Sequence, residues 1–171
     1  PANDGSTVAC IGDAQIVPTP PTVNNSCGDL LAISGPVISA DPSCSGAKTY
    51  TWTYTDCTGA SAQWVYTYTI TPPTFTMPAD DGSSVNCVSD AQLLPTAPFV
   101  SNSCGVPLTV VGPVIGPDPF CSGTKTYTWT FTDCTGTSAQ WVYTYTILPP
   151  TSSLPPDGGS TVNCISDAQV V

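Results

Sequence analysis

Residues 48–70 read KTYTWTYTDCTGASAQWVYTYTI, and residues 125–147 repeat this sequence almost unchanged. In each copy, two runs of alternating aromatic and mostly threonine residues flank a short polar stretch, which in the first copy is Asp56-Cys57-Thr58-Gly59. Successive residues of a β-strand point to opposite faces, so each run places its aromatic rings on one face. Because the polar stretch is rich in turn-forming residues, the sequence predicts an antiparallel hairpin in each copy.

The aromatic face of each hairpin is the best candidate for a hydrophobic core, because aromatic and β-branched residues suit a half-buried sheet. The alternative is that aromatic rings and threonine-rich faces are exposed and bind a polysaccharide. We favour the core, since the alternation collects the rings on one face. The expected core residues are Tyr50, Trp52, Tyr54, Trp64, Tyr66, Tyr68, Tyr127, Trp129, Phe131, Trp141, Tyr143 and Tyr145.

The hairpins belong to a longer tandem repeat of about 77 residues, because the cysteines recur at that spacing. They lie at positions 10, 27, 44 and 57, recur one repeat later at 87, 104, 121 and 134, and appear once more at 164. The pairs Pro72-Pro73 and Pro149-Pro150 follow the last predicted strand of each copy and favour short, stiff linkers. We therefore predict repeat one at residues 1–73, with an incomplete first strand, repeat two at 74–150, and the start of a third repeat at 151–171.

Composition narrows the classes of function. The chain has a formal net charge of -10 with only two basic residues, Lys48 and Lys125, which argues against binding to nucleic acid or an anionic membrane. No apolar run approaches the roughly 20 residues that span a bilayer, so we expect no membrane insertion. Nine cysteines indicate an oxidising, extracellular setting. Without His or Glu, no general base or nucleophile constellation is evident, and we expect no enzyme.

The remainder of each repeat also predicts β-structure. In repeat two we expect strands near residues 83–87, 92–100 and 107–115, the second interrupted by prolines that suit sheet edges and bulges. Helical periodicity is absent. Short strands separated by turn signals over about 77 residues fit an all-β, immunoglobulin-like sandwich.

Several motifs resemble a known family. They are C-x-x-D-A-Q, P-x-V-x-N-S-C-G, P-x-C-S-G and the hairpin Y-T-W-T-(Y/F)-T-D-C-T-G…W-x-Y-T-Y-T-I, and together they cover each repeat. The pattern is similar to that of hyalin-repeat (HYR-like) modules. The resemblance implies an immunoglobulin-like fold, no enzymatic activity, and a place in long secreted or surface proteins, often giant adhesins of gliding Gram-negative bacteria.

Sandwich topology leads us to expect disulfides within each repeat. A strand extended between Cys44 and Cys57 holds them roughly 40 Å apart at about 3.3 Å per residue, so these two do not pair. The remaining alternatives are Cys10–Cys44 with Cys27–Cys57, one bond at each pole of the sandwich, or Cys10–Cys57 with Cys27–Cys44. We favour the first, which extends to Cys87–Cys121 and Cys104–Cys134. Cys164 would pair with a cysteine outside this sequence.

Repeats of this kind, joined by Pro-Pro pairs, are expected to stack end to end as a rod. The sequence therefore suggests a non-catalytic structural segment of an extracellular filament or adhesin on a bacterial cell surface. Its disulfides would limit extension, because a Cys10–Cys44 bond withholds residues 11–43 from a pulled chain, roughly 110 Å per repeat at about 3.3–3.6 Å per residue. Its partners would be neighbouring repeats, like filaments or surface polysaccharide. The alternative is a carbohydrate- or surface-binding adhesive module.

No cofactor is required by this interpretation, although calcium is a weaker candidate. Aspartates in predicted loops near the repeat junction could supply the roughly 6–8 oxygen ligands that Ca²⁺ takes. The competing interpretation is that they are solvated turn residues. The candidate ligands are Asp13, Asp41, Asp80, Asp81 and Asp133.

Overall fold

A computed structural model of the chain describes residues 1–154, 157–159 and 161. Within these residues it contains two four-stranded sheets, one in each repeat. The expected all-β class and the tandem organisation are confirmed. Most of the predicted third repeat, including Cys164, lies outside the described residues.

The two sheets have the same topology. In repeat one the strands are β1 (Asp4–Val8), β2 (Ala32–Ile38), β3 (Gly46–Thr55) and β4 (Ser61–Ile70), in the spatial order β1-β4-β3-β2. In repeat two they are β5 (Asp81–Val85), β6 (Thr109–Ile115), β7 (Gly123–Thr132) and β8 (Ser138–Ile147), in the order β5-β8-β7-β6. The predicted hairpins are β3–β4 and β7–β8.

The hairpin register places the aromatic rings together on one face. Trp52 lies opposite Trp64 on the neighbouring strand, with ring centroids 5.2 Å apart, and Trp129 lies opposite Trp141 at 5.4 Å. Such cross-strand aromatic pairs contribute packing energy beyond the area that they bury. Ten of the twelve expected core residues are buried, and Tyr66 and Tyr143 are partly buried against the same clusters.

The layer opposite each sheet is an irregular segment rather than a second ladder of strands. In repeat one it begins with a short 3-10 helix, Ile11–Gln15, and continues through a proline-rich stretch. In repeat two, the strand expected at 92–100 does not form; a 3-10 helix, Asp90–Gln92, leads into extended chain instead. The prolines explain this difference, because they have no N–H to donate to a strand ladder.

Tyrosine hydroxyls hold this irregular layer against the sheet. Tyr50 donates a hydrogen bond to the Ala14 carbonyl at 2.8 Å, and Tyr54 donates to the Pro21 carbonyl at 2.6 Å. Burial raises the pKa of the Tyr54 phenol, so that it stays a protonated donor. Carbonyls that no strand partner satisfies must find another donor when buried. The rings therefore fill the core and also satisfy the backbone of the layer that covers it.

Each edge strand at the start of a repeat pairs in parallel with the last strand of that repeat. β5 pairs with β8, and its close approach depends on Gly82. A Cβ at Gly82 would come closer to the Thr144 carbonyl oxygen than real Cβ atoms ever do. β5 begins two residues before the expected strand at 83–87, since Asp81 and Gly82 are the first part of the strand.

Candidate functional site at the junction between repeats

Each repeat has two poles that differ in the residues they present. The linker pole holds the end of β1, the start of β3 and the end of β4, which the register of Gly46 opposite Ile70 places side by side. The turn pole holds the β3–β4 turn and the start of β2, since Thr55 lies opposite both Ser61 and Ala32. Cys10 follows the end of β1 and Cys44 precedes the start of β3, so both lie at the linker pole. Cys57 lies in the β3–β4 turn at the opposite pole.

Two disulfides join the linker pole of repeat one to the turn pole of repeat two. Cys10 is bonded to Cys104 with a Cα–Cα distance of 5.6 Å, and Cys44 is bonded to Cys134 with a Cα–Cα distance of 5.5 Å. Both distances lie inside the range of about 4.4–6.8 Å that disulfides require. The junction between the repeats is therefore covalent in two places besides the peptide linker.

This pairing corrects the expectation that bonds form within a repeat. Sandwich topology suggested the right poles, but the bonding partner of each cysteine lies across the junction, because the short linker holds the next repeat within disulfide reach. The predicted bonds that the structure replaces are Cys10–Cys44, Cys27–Cys57, Cys87–Cys121 and Cys104–Cys134. Without a Cys10–Cys44 bond, the prediction that this bond keeps residues 11–43 from extending under load no longer applies.

The surfaces around the two bonds enclose a cleft between the repeats. Its walls include all four bonded cysteines together with Ile11, Pro73 and Val106, and its volume is about 210 Å³. Ligand pockets usually have volumes of about 300–1,000 Å³. This cleft is smaller, so we interpret it as a gap between the two packed repeats rather than a ligand site. The Cys104 sulfur lies 3.4 Å from the Ala9 carbonyl oxygen, which shows how closely the two poles meet.

The linker is fastened to the turn of repeat two. The Ser103 N–H donates a hydrogen bond to the Thr74 carbonyl at 2.7 Å, and the Thr74 N–H donates to the Ser103 hydroxyl at 3.1 Å. These two bonds fix the residue that follows Pro72-Pro73 beside Cys104. The linker and the disulfide thus hold the same turn from two sides.

The C-x-x-D-A-Q motif is explained by the local structure of the linker pole. In repeat one the Asp13 carboxylate accepts a hydrogen bond from the Cys10 N–H at 3.2 Å, and Ala14 is completely buried. Gln15 accepts a hydrogen bond from the Lys48 ammonium and donates to the Asp41 carboxylate at 3.1 Å. The motif therefore positions the bonded cysteine and ties the 3-10 helix to β3.

Lys48 and Lys125 are buried, which the sequence did not indicate, since a lysine at the start of a strand is usually solvated. The Lys125 ammonium is 2.7 Å from the Asp118 carboxylate, donates to Gln92, and lies 5.6 Å from the centre of the Tyr127 ring. The ammonium and the Gln92 amide lower the pKa of Asp118, and the carboxylate raises the pKa of Lys125. Gln, Asp and Lys recur at the same spacing in both repeats, and this recurrence could have indicated that the three side chains interact.

Replacing Lys125 with Met should raise the pKa of Asp118 towards its ordinary value of 3.8. The lowered pKa means that this carboxylate stabilises the fold above its unfolded-state pKa and loses that contribution as the pH falls through the folded-state pKa. Lys125, with its raised pKa, contributes fully below 10.5 and loses that contribution as the pH rises through its folded-state value. Carboxyl carbon chemical shifts followed by NMR from pH 2 to 6 would measure the change.

Asp133 is the internal control for this experiment. The Thr135 hydroxyl, not a lysine, is the main cause of its lowered pKa, so Lys125→Met should leave the Asp133 titration unchanged. An Asp118 pKa that stays low in the variant would contradict the role assigned to Lys125.

The aspartates considered for calcium do not converge. In the part of the chain that the structure describes, no group of three or more carboxylate, thiol or imidazole side chains is placed to hold a metal ion. The five side chains serve the backbone or the lysine instead. Asp13, Asp80, Asp81 and Asp133 accept hydrogen bonds from backbone N–H groups, and Asp41 pairs with Lys48 at 2.6 Å.

Four further cysteines are exposed and unbonded among the described residues. Cys27 and Cys57 belong to repeat one, and Cys87 and Cys121 belong to repeat two. Each corresponds, in the other repeat, to a cysteine that is bonded at the junction.

Comparison with protein families agrees with this architecture. The sequence profile of the HYR-like domain with 4 cysteines matches residues 1–70 and again residues 75–147, one match for each repeat. The chain belongs to this family. The HYR-like matches flank the Pro72-Pro73 linker, so the profile and the structure divide the chain at the same place. No curated protein matches the chain.

Membership of the HYR-like family indicates the general role of the chain. HYR-like repeats are extracellular, adhesion-related structural modules, and the family is not known for catalysis. Among the described residues, no helix has the length and apolar character that a membrane crossing needs. The candidate site in this HYR-like pair is the doubly bonded junction.

Proposed function

We propose that this chain is a non-catalytic segment of a long extracellular filament or adhesin, and that its disulfides limit extension by joining successive repeats. The observation that supports this proposal is the pair of bonds between repeats, Cys10–Cys104 and Cys44–Cys134. A bond inside one repeat strengthens that repeat alone. A bond between repeats also resists bending and separation at the joint.

The placement of these bonds supports a rod of HYR-like repeats. They connect opposite poles of neighbouring repeats on two sides of a short Pro-Pro linker, and two separate attachments prevent the hinge motion that a single flexible linker allows. With a formal net charge of -10, the rod stays soluble at a cell surface. We place the chain at a bacterial cell surface, as its resemblance to the modules of long bacterial adhesins implies.

The native protein provides the test. Peptide mapping of protein taken from the cell surface, digested without reduction after the free thiols have been alkylated, should recover Cys10 linked to Cys104 and Cys44 linked to Cys134. An antibody against the two repeats should bind intact cells. Free thiols at these four positions, or protein that is reached only after the cells are lysed, would refute the proposal.

A carbohydrate-binding role has less support from the structure. The rings that could have formed a binding face are mostly buried, and the large exposed aromatic side chains among the described residues are Phe99 and Phe120. Both belong to repeat two, where repeat one has Thr22 and Ser43. A glycan-array signal lost in Phe120→Ala but kept in Thr128→Ala would favour binding as a second function.

A further inference from the structure

We infer that each sheet binds a second copy of this chain through the face that is turned away from the aromatic core, so that two filaments lie side by side. On this face, the strands present the threonines and valines that alternate with the buried rings. The inference rests on the proposed filament role and names the surface through which filaments associate. We call this surface the outer face; its central row is Val37, Thr51 and Val65 in repeat one and Val114, Thr128 and Val142 in repeat two.

The outer face carries no charged side chain among the described strands. The charged residues of these strands are Asp4, Lys48, Asp81 and Lys125, and each lies directly opposite a tyrosine of the aromatic face. Directly opposite residues share one face of a sheet, so all four project from the other side. The chain has a formal net charge of -10, and both lysines are buried in ion pairs. The outer face is therefore a surface where two acidic copies can meet without bringing carboxylates together.

Exposed valines make the outer face able to bind. Val37 and Val114 are each 72% exposed, and Val111, which lies opposite Thr130 on the same face, is 67% exposed. The threonines beside them are partly exposed and add methyl groups to the surface. Contiguous exposed apolar groups mark interaction surfaces, and their removal from water favours association.

The exposure of the outer face does not depend on which neighbour a repeat has. Val37 is exposed in repeat one, which has a repeat after it, and Val114 is equally exposed in repeat two, which has a repeat before it. The bonded cysteines lie at the poles, whereas the outer face runs along the side of each sheet. A contact through this face therefore leaves the linker and both junction bonds in place.

The size of the outer face suits a contact between copies. The four strands of repeat one contain 5, 7, 10 and 10 residues. At about 3.3 Å per residue and about 4.8 Å between strands, they cover roughly 500 Å² on each copy, or roughly 1,000 Å² in total. This area is close to the lower limit for a specific interface, so one pair of repeats binds weakly. Several repeats in series would strengthen the contact through their effective concentration.

The chemistry of the outer face favours a second copy over other partners. A cationic partner would be attracted to the aspartates outside this face. A sugar ring stacks on exposed aromatic rings, and the rings of these strands point to the opposite face. A second outer face offers the same small side chains, which can interdigitate when two sheets pack about 10 Å apart. Because both copies use the same patch, the contact is isologous.

Charged substitutions at the exposed valines test the inference. With its unpaired thiols alkylated, the unsubstituted chain should increase in average mass between micromolar and millimolar concentration in sedimentation equilibrium. The double variant Val37→Glu/Val114→Glu places carboxylates in both outer faces. It should raise the dissociation constant about tenfold or more, because like charges that face one another across an interface are strongly unfavourable. Near-ultraviolet circular dichroism of the buried rings should be unchanged, since both valines are largely in solvent.

Ile16→Glu combined with Leu93→Glu is the matched control. These two side chains are 70% and 73% exposed and occupy equivalent positions in the two repeats. They belong to the irregular layer on the aromatic side of each sheet, where their carbonyls accept hydrogen bonds from Tyr68 and Tyr145. The control adds the same charge and should associate like the unsubstituted chain. If it dissociates as much as Val37→Glu/Val114→Glu, the outer face is not the contact and the inference is overturned.

The dependence on salt provides a second measurement. The outer faces are uncharged, while the aspartates elsewhere on the two copies repel one another. Raising the ionic strength to about 0.15 M, where the Debye length is about 8 Å, should therefore strengthen association. Association that weakens as salt is added would show that ion pairs hold the copies together, contrary to the inference.

The remaining outcomes separate this inference from the proposed function. A chain that stays monomeric to millimolar concentration at that ionic strength would overturn the lateral contact. So would methyl NMR signals of Val37 and Val114 that shift on adding a neutral polysaccharide but not with protein concentration. Peptide maps of the same samples report Cys10–Cys104 and Cys44–Cys134. If a monomer keeps these bonds, only the lateral contact fails. If copies associate through the outer face without these bonds, only the proposed function fails.

Discussion

Reduction should lengthen the fully extended chain by roughly 310 Å when it is pulled from its two ends, at about 3.3 Å per extended residue. The bond between Cys10 and Cys104 joins residues that are 94 positions apart. When force unfolds the chain, the disulfide carries the tension directly from one cysteine to the other. The residues between them become available to the pulled chain only when the bond is reduced, which accounts for the expected gain. Single-molecule force spectroscopy with and without a reductant would measure it, with the exposed thiols alkylated beforehand.

Cysteine variants separate this arrangement from bonds inside each repeat. Cys10→Ser alone should change the oxidised length only slightly, because Cys44–Cys134 still withholds 90 residues. Cys10→Ser combined with Cys44→Ser should remove the whole effect of the reductant. If the double variant still lengthened on reduction, the bonds would lie within the repeats and the junction would be misassigned.

Replacing Trp129 with Ala should destabilise repeat two by about 3–5 kcal/mol, the usual cost of truncating a buried Trp or Phe. Trp129 is 5% exposed, and it lies opposite Trp141 at the centre of the aromatic face. At roughly 0.05–0.15 kcal/mol per residue, a domain of this size has a total stability of about 4–12 kcal/mol. The variant therefore loses a large part of the stability of its repeat.

Thr130→Ala is the matched control, since Thr130 is the next residue of β7 and points to the opposite face. It should change the free energy of unfolding by no more than about 0.5 kcal/mol. Denaturation in guanidinium chloride followed by near-ultraviolet circular dichroism would compare the two variants. Equal losses would contradict the assignment of the aromatic face as the core.

The hairpins were predictable because their signal is local. The alternation of rings and threonines fixes which side chains share a face, and the turn between the runs fixes which strands pair. The second layer was not predictable in detail, because prolines remove the ladder donors and the carbonyls then depend on hydroxyls such as those of Tyr50 and Tyr54. Nothing in the local sequence of the proline-rich segment shows that distant tyrosines satisfy it.

The junction was only half predictable from the sequence. Sandwich topology placed Cys10 and Cys44 at one pole, and strand geometry separated Cys44 from Cys57; the structure agrees with both. It could not choose the partner, because repeats with the same cysteine spacing offer chemically identical candidates inside a repeat and across the joint. The buried lysine was missed for a related reason, since Gln92 and Asp118 become its neighbours only when the irregular layer folds over β7.

Bonding from one repeat to the next also has a genetic consequence. Every bonded cysteine finds its partner in an adjacent unit at a fixed offset, so gaining or losing one whole unit leaves the bonds on either side intact. Deleting part of a unit would instead leave thiols without partners in two neighbours. A gene built this way can change its copy number by recombination between units, provided that the crossover preserves the length of the repeat.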